Sequence, residues 1–261
     1  MAKRASLPSR ARKRTALPVL NRPPPGTVRN RLLAALPVID QERLLPALAV
    51  VPLTLKTLLH KPGDAIQHVY FPGGGFLSLV TVLENGRMVE AATIGREGMV
   101  GLEATLKGIP VASATMVQGE SDTCYRMTAD AFRREMDRRG AFYVLLTFYS
   151  HAVVAASMQS TACNAVHSVE QRLARWLLLA HDRMASDEFP LTQEFAAMML
   201  GTSRQTVTIV AGMLQTAGLI TYRRGRVIVR DRRQLESASC ECYAAATALF
   251  EAVIEGAPRP S

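Results

Sequence analysis

The stretch Leu191–Arg230, LTQEFAAMMLGTSRQTVTIVAGMLQTAGLITYRRGRVIVR, leaves the chain few ways to fold. Phe195, Ala196 and Met199 recur at helical spacing behind Thr192, whose hydroxyl can cap a helix N-terminus, and Gly201 is free to take the positive φ that ends such a helix. Thr202 or Ser203 then caps a second helix. In it Val207, Val210, Ala211 and Leu214 form one narrow apolar stripe, and the opposite face begins Arg204, Gln205, Thr208. Ile220, Tyr222, Val227 and Val229 alternate around Arg223-Arg224-Gly225-Arg226, which predicts a two-stranded ribbon with three arginines at its tip.

A pair of helices interrupted by glycine fits two readings, a packed core pair with a solvated face or a DNA-reading head. Arginine, glutamine and threonine are the side chains that reach base edges, and a helix-turn-helix puts the N-terminal part of its second helix into the major groove. Arginine at a ribbon tip suits phosphate, which positions a reader without specifying sequence. Between Thr192 and Arg233 seven arginines face only Glu194 and Asp231, a net +5. The rival from another class is a ligand-binding or protein-interaction module whose head contacts a protein partner. Such a face is more often apolar than one carrying Arg204, Arg223, Arg224 and Arg226.

These residues resemble the winged helix-turn-helix of the Crp/Fnr transcription regulators. The family's LT-x-E helix, its LG-x-SR-x-TV turn and recognition helix, and its GLI-basic wing stand here as Leu191-Thr192-Gln193-Glu194, Leu200 to Val207, and Gly218-Leu219-Ile220. Where the cyclic-AMP-responsive member has an arginine one turn later, this chain has Ile209, so the resemblance implies a different operator. It also implies double-stranded DNA, a second copy of the chain and RNA polymerase as partners. The implied DNA contacts are Thr202, Ser203, Arg204, Gln205, Thr208, Arg223, Arg224 and Arg226.

The net charge of +9 is unevenly spread: Met1 to Arg31 holds nine lysines and arginines and no acid, so the remainder sums to zero. That arm, with Pro23-Pro24-Pro25-Gly26 and no apolar periodicity, is expected to be disordered and to add nonspecific DNA affinity. Cys124, Cys163, Cys240 and Cys242, with no signal peptide ahead of them, predict a reducing cytoplasmic setting without disulfides. Cys240-Glu241-Cys242 reads as a lone C-x-C with no second pair, and His151 and His167 as lacking a cysteine or carboxylate at ligand spacing; no metal site is expected. Family members that sense oxygen hold an iron–sulfur cluster on N-terminal cysteines. None precedes Cys124, so no such cluster is expected. The most apolar stretch, Ala141 to Met158, is interrupted by Thr147, Ser150 and His151, and no membrane span is expected. No nucleophile–base pair, paired-carboxylate site or phosphate loop points to an enzyme; Gly73-Gly74-Gly75 lacks the lysine of a P-loop.

From Val50 to Met127 the texture is short apolar runs (Val51–Leu55, Ala65–Tyr70, Phe76–Leu83, Val89–Ile94, Ala114–Gln118, Thr123–Met127) separated by turns such as Pro62-Gly63-Asp64 and Glu84-Asn85-Gly86. Such spacing predicts a small antiparallel barrel or roll whose closure removes exposed edges. Lys61-Pro62-Gly63-Asp64, Val69-Tyr70-Phe71-Pro72 and Ile94-Gly95-Arg96-Glu97-Gly98-Met99-Val100-Gly101 resemble the cyclic-nucleotide-binding β-roll of the same family, so that the likeness runs from about Leu44 to Leu235. Carried over, it places an effector pocket at Gly101, Glu103 and Ser113. The family's phosphate-gripping Arg-Ser pair falls on Ala112-Ser113. Glu97 and Glu103 read equally as solvated loop acids.

Phe142, Leu145, Leu146, Tyr149, Val153, Ala156 and Gln159 make a long apolar seam, which predicts a homodimer through that helix. The expected fold is α+β in these parts: a basic arm (1–31), a jelly-roll-like antiparallel β-roll sensor (32–127), a dimerisation helix (128–168), a winged helix-turn-helix (169–235), and a C-terminal helical extension from Leu235 to Ile254 that caps the wing (236–261). Losing the phosphate arginine forfeits a charge-assisted pair worth about 1.5–3 kcal/mol, so cyclic AMP and cyclic GMP are predicted not to bind tightly. Calorimetry showing micromolar affinity overturns that expectation. A gain of affinity in Ala112→Arg supports the alignment behind it.

Overall fold

Apolar–polar alternation between Ala49 and Thr128 builds seven strands: β1 (Ala49–Leu53), β2 (Leu58–His60), β3 (His68–Pro72), β4 (Phe76–Val82), β5 (Met88–Ile94), β6 (Ala114–Gly119) and β7 (Ser121–Thr128). In the computed structural model, which describes residues 17–20, 23, 27–184 and 186–257, these form two antiparallel sheets, ordered β1-β7-β3 and β2-β6-β4-β5. Six of the strands follow the apolar runs; β2, three residues long, is too short to leave a period. The roll is not closed. Its edge strand β1 instead carries Pro52 at a break in register between Val51 and Leu53, a position where a missing N–H costs no ladder bond.

Strand β4 is buried on both faces. Leu77 points into the space between the sheets with Val51, Phe71, Ile94, Val117 and Met127, while Phe76 and Val80 point outward. There Phe76 meets the edge of Trp176, ring centroids 5.9 Å apart.

The helices surround this roll. Asn30 caps α1 (Arg31–Ala34) through its side-chain oxygen and donates its amide to the carbonyls of Pro72 and Gly98. Pro37 separates α1 from α2 (Val38–Leu44). After β7 come α3 (Ala129–Asp137), α4 (Ala141–Val166) and α5 (Val169–Arg183), the last opened by a capping box of Ser168 and Gln171. The head follows as β8 (Glu188–Pro190), α6 (Gln193–Met199), α7 (Arg204–Thr216), β9 (Ile220–Arg223) and β10 (Arg226–Val229), and the chain ends in α8 (Arg232–Ala238) and α9 (Cys242–Glu255).

Three expectations are corrected. The seam assigned to a partner chain is part of this chain's own core: Phe142, Leu145, Leu146, Tyr149 and Ala156 are buried against the roll and α9, with Val153 packed beside them. Periodicity reveals that a stripe is apolar but not what it faces. The C-terminal extension is two helices rather than one, broken at Ser239-Cys240-Glu241, and α9 packs on α4 through Phe250 and Val253 instead of capping the wing. Within the supposed disordered arm, Leu20 donates its N–H to the Val50 carbonyl at 2.8 Å, Leu17 and Val28 pack on the roll, and the Arg29 N–H bonds the Tyr125 hydroxyl at 2.9 Å. Apolar residues among the basic ones find partners there; the Arg-Lys-Arg clusters lie outside the described residues. By length and composition alone α4 is long and apolar enough to cross a membrane, as core helices also can be; six of its residues from Phe142 to Ala156 belong to the core shared with the roll and α9.

The turn Ile94–Gly101 fastens three parts together. Gly98 has no Cβ because the Tyr149 hydroxyl would lie 2.4 Å from one; that hydroxyl donates to the Met99 carbonyl (2.7 Å) and accepts the Met99 N–H (2.9 Å), tying α4 to the roll. Glu97, which the sequence allows equally as a solvated loop acid, is 8% exposed. Its Oε1 accepts the Gly95 N–H and both Nε (2.9 Å) and a terminal nitrogen (2.6 Å) of Arg183 at the end of α5. Breaking a buried pair strands the surviving charge, so Arg183→Met is expected to lower unfolding free energy by about 3–5 kcal/mol. Urea denaturation followed by circular dichroism measures it, and a loss below about 1 kcal/mol shows that water reaches the pair.

Candidate nucleic-acid interface

The head folds as its sequence dictates. Thr192 accepts the Phe195 N–H to cap α6, and Gly201, at φ +61°, closes it while the Thr202 N–H reaches back to the Ala197 carbonyl. Ser203 caps α7 by accepting the Thr206 N–H at 3.1 Å. Val207, Val210, Ala211 and Leu214 are all buried, packing α7 on α5 and α6.

Among the residues outward on α7 are Arg204, Gln205, Thr208, Ile209 and Met213, with Gly212, Gln215 and Thr216 towards its C-terminal end. Arg204 and Gln205 are exposed in the first turn, where the orphan N–H groups and the positive end of the helix dipole also lie. The Thr208 hydroxyl donates either to Gln193 Oε1 (2.8 Å) or to the Arg204 carbonyl (2.9 Å), leaving its methyl and lone pairs outward. Ile209 and Met213, 65% and 50% exposed, add an apolar strip of the kind that meets a thymine methyl. Ser203 is committed to its cap and Thr202 is half-buried, so these two positions frame the helix rather than extend from it.

The wing has three strands, not the two expected from its alternation. β8 pairs with β10, placing Phe189 opposite Val227, and β10 pairs with β9. β8 is three residues long and precedes the helices, so nothing in the local pattern links it to the ribbon. Arg224 and Gly225, at φ +52° and +73°, form the two-residue hairpin tip. Arg223 and Arg224 are exposed and make no ion pair among the described residues, whereas Arg226 pairs with Glu188. Arg232 also turns away from the head's open face, to Asp182 (2.7 Å) and the Tyr243 hydroxyl (2.6 Å). Of the head's seven arginines, Arg226 and Arg232 are thus ion-paired, while Arg204, Arg223, Arg224, Arg230 and Arg233 make no ion pair among the described residues; three of these, Arg204, Arg223 and Arg224, lie on the first turn of α7 and at the wing tip.

The roll reaches this reader directly. Val89 of β5 lies against Gly201, and Arg87 donates to the Gly201 carbonyl at 3.4 Å. Behind them, the Trp176 indole N–H donates to Glu90 at 3.1 Å, and Ser78 also bonds that carboxyl. Enclosure there pushes the Glu90 carboxyl above the usual carboxylate range, with those hydrogen bonds opposing the shift.

Of the residues assigned to an effector pocket, Gly101 (φ +96°) begins the short turn that carries Glu103. Glu103 lines a polar cleft of about 190 Å³ with Lys107, Asp130 and Arg133, and Ser113 does not line it. Glu103 and Ser113 thus do not share this cleft. Sequence reasoning also missed a cluster away from the head: Cys163 and His167, at the end of α4, meet Cys240 and Cys242 in the α8–α9 connection. The signal was present, since Cys163 and His167 are four residues apart, one helical turn, contrary to the expectation that His167 has no cysteine at ligand spacing.

A sensor-like roll joined by one long helix to a winged helix-turn-helix defines a two-domain DNA-binding regulator. Comparison with family models agrees: residues 51–139 match the cyclic nucleotide-binding domain and residues 171–238 the Crp-like helix-turn-helix domain. The chain belongs to the Crp/Fnr family of transcriptional regulators, which are not enzymes. Among solved structures it is similar to a crp/fnr-family transcriptional regulator from Eubacterium rectale (18% identity, 77% of this chain and 93% of that chain, TM-score 0.58). It is also similar to a CRP-family regulator from Thermus thermophilus (19%, 72% and 95%, TM-score 0.59). A third likeness is to the c-di-GMP-responsive global regulator of Xanthomonas campestris (17%, 73% and 97%, TM-score 0.57). At these identities the likeness shows the fold. No curated protein sequence matches.

Proposed function

We propose that the protein is a cytoplasmic, sequence-specific regulator of transcription that binds an inverted-repeat operator as a homodimer and acts on RNA polymerase, with an effector other than a cyclic nucleotide. One observation carries the reading: a capped recognition helix presents Arg204 and Gln205 outward beside a wing tip whose Arg223 and Arg224 make no ion pair among the described residues. A protein-binding head would gain little from arginines placed so. The absence of an arginine at Ala112 supports the statement about cyclic nucleotides.

The dimer uses the face of α4 that the roll leaves open. Val144, Phe148, His151, Ala155, Met158 and Ala162 recur at alternating steps of four and three, the spacing of a coiled-coil seam. Phe148 and Met158 are 55% and 68% exposed in the single chain. The double variant Phe148→Glu, Met158→Glu is expected to sediment as a folded monomer, with an unchanged circular dichroism spectrum. Persistent dimers place the interface elsewhere.

Two recognition helices in successive major grooves stand one DNA turn apart, about 34 Å, which sets the spacing of the half-sites. Arg204→Ala is expected to cost about 1–3 kcal/mol on operator and to relax preference at one base position. Arg224→Ala is expected to weaken operator and scrambled DNA alike and to reduce the salt slope by about one unit, with a smaller effect from Arg226→Ala because Glu188 already holds that charge. Titrations at several salt concentrations measure both. Equal loss on both DNAs for Arg204→Ala removes its role in base reading; no change for either Arg204→Ala or Arg224→Ala removes the DNA-reading face itself.

A further inference from the structure

The last turn of α4 and the α8–α9 connection converge on four side chains whose chemistry is that of a metal ligand set. Cys163 Sγ and Cys240 Sγ are 3.5 Å apart, Cys242 Sγ and His167 Nδ1 are 3.6 Å apart, and all four ligand atoms lie within 4.8 Å of one another. The three thiols are buried and the imidazole half-buried. A tetrahedral zinc with Zn–S near 2.3 Å and Zn–N near 2.0 Å sets its sulfurs about 3.8 Å apart and sulfur from nitrogen about 3.5 Å. Two of the separations here match those edges to within a few tenths of an ångström. An iron–sulfur cluster would require its cysteines to stand around an inorganic core, farther apart than these.

The surroundings support the same reading. His167 turns its other nitrogen, Nε2, to Glu241 Oε1 at 3.2 Å, the carboxylate–histidine arrangement that orients a metal-binding imidazole. Gln159 directs its amide N–H to Cys242 Sγ at 3.0 Å, a bond a thiolate accepts better than a thiol. Arg172 and Arg175 on α5 are buried to more than nine-tenths, each with an Nε that lacks a hydrogen-bond partner among the described residues, and their charges act on Cys163. Three thiolates and one neutral imidazole around a dication carry net charge −1. That negative charge lies beside the two buried guanidiniums and offsets part of their charge, whereas an uncharged thiol cluster would not.

We propose that Cys163, His167, Cys240 and Cys242 bind one zinc ion in a closed, structural Cys₃His site. Binding replaces three S–H bonds with three Zn–S bonds and releases three protons to solvent; no oxidant or reductant takes part. The ligands come from both sides of a joint. Cys163 and His167 lie in the last turn of α4 and at its C-terminal boundary, one residue before the cap of α5, while Cys240 and Cys242 precede and open α9. The metal therefore holds the α4–α5 joint against the C-terminal extension, and with it the direction in which the head leaves the dimer helix.

The test is on the full chain, purified under reducing conditions without added chelator. Elemental analysis is expected to find one zinc per chain. After zinc removal, cobalt(II) is expected to bind at one equivalent with the intense visible bands of tetrahedral cobalt and a sulfur-to-cobalt charge-transfer band. Cys240→Ser should reduce that band by about a third, one thiolate of three, whereas His167→Gln should leave it while weakening retention. Zinc-free protein should also melt at a lower temperature and recover on adding zinc. The spectrum of the unaltered chain decides the coordination, so a variant that fails to fold leaves the result intact. Absence of bound metal with only weak octahedral cobalt absorption, or iron accompanied by acid-labile sulfide, overturns the proposal.

Discussion

Nine consecutive residues of α5, Arg172 to Ala180, are buried. A helix in that state has no solvent face, and every direction around it must be met by another element. The roll supplies one side through Phe76, Val80 and Ala114, the recognition helix and α8 supply others, and the α9 side completes the enclosure. Polar groups drawn into this region are held by specific partners: Arg183 by Glu97, Trp176 by Glu90, Arg172 in part by Asn164. The position of the reading head is consequently set by packing on the roll rather than by a free tether.

The same packing links the roll mechanically to the head. The β4–β5 hairpin touches the turn of the helix-turn-helix through Val89, Arg87 and Gly201, and the Ile94–Gly101 turn holds α4 by Tyr149 and α5 by Arg183. A displacement of β5 would be felt at both ends of the regulator. The contact at Gly201 matters most sterically, since that residue carries the positive φ on which the junction between α6 and α7 depends.

The sequence made the head legible almost residue by residue, because caps, glycine turns and apolar stripes are local and each was met by its expected hydrogen bond. The roll was legible as strands but not as sheets: β2 and β8 are too short for periodicity, and their pairing with β6 and β10 is a long-range event. The α4 seam was read correctly as apolar and wrongly as intermolecular, for a helix apolar on two faces gives no local sign of which one its own chain covers. Glu97 looked like a loop acid because its partner lies 86 positions away. The cysteine–histidine cluster was hidden by a similar separation, 77 positions from Cys163 to Cys240; half of it, Cys163 and His167, stood one helical turn apart in plain view.

Strand β4 contributes alternate side chains to two hydrophobic cores, Leu77 to the one inside the roll and Phe76 with Val80 to the one that holds the head. A partition shared in this way cannot melt for one unit and stay intact for the other. Although the chain is assembled from two recognisable domains, its heat denaturation should therefore follow a single cooperative step, with calorimetric and van't Hoff enthalpies in agreement, where a beads-on-a-string arrangement would give two.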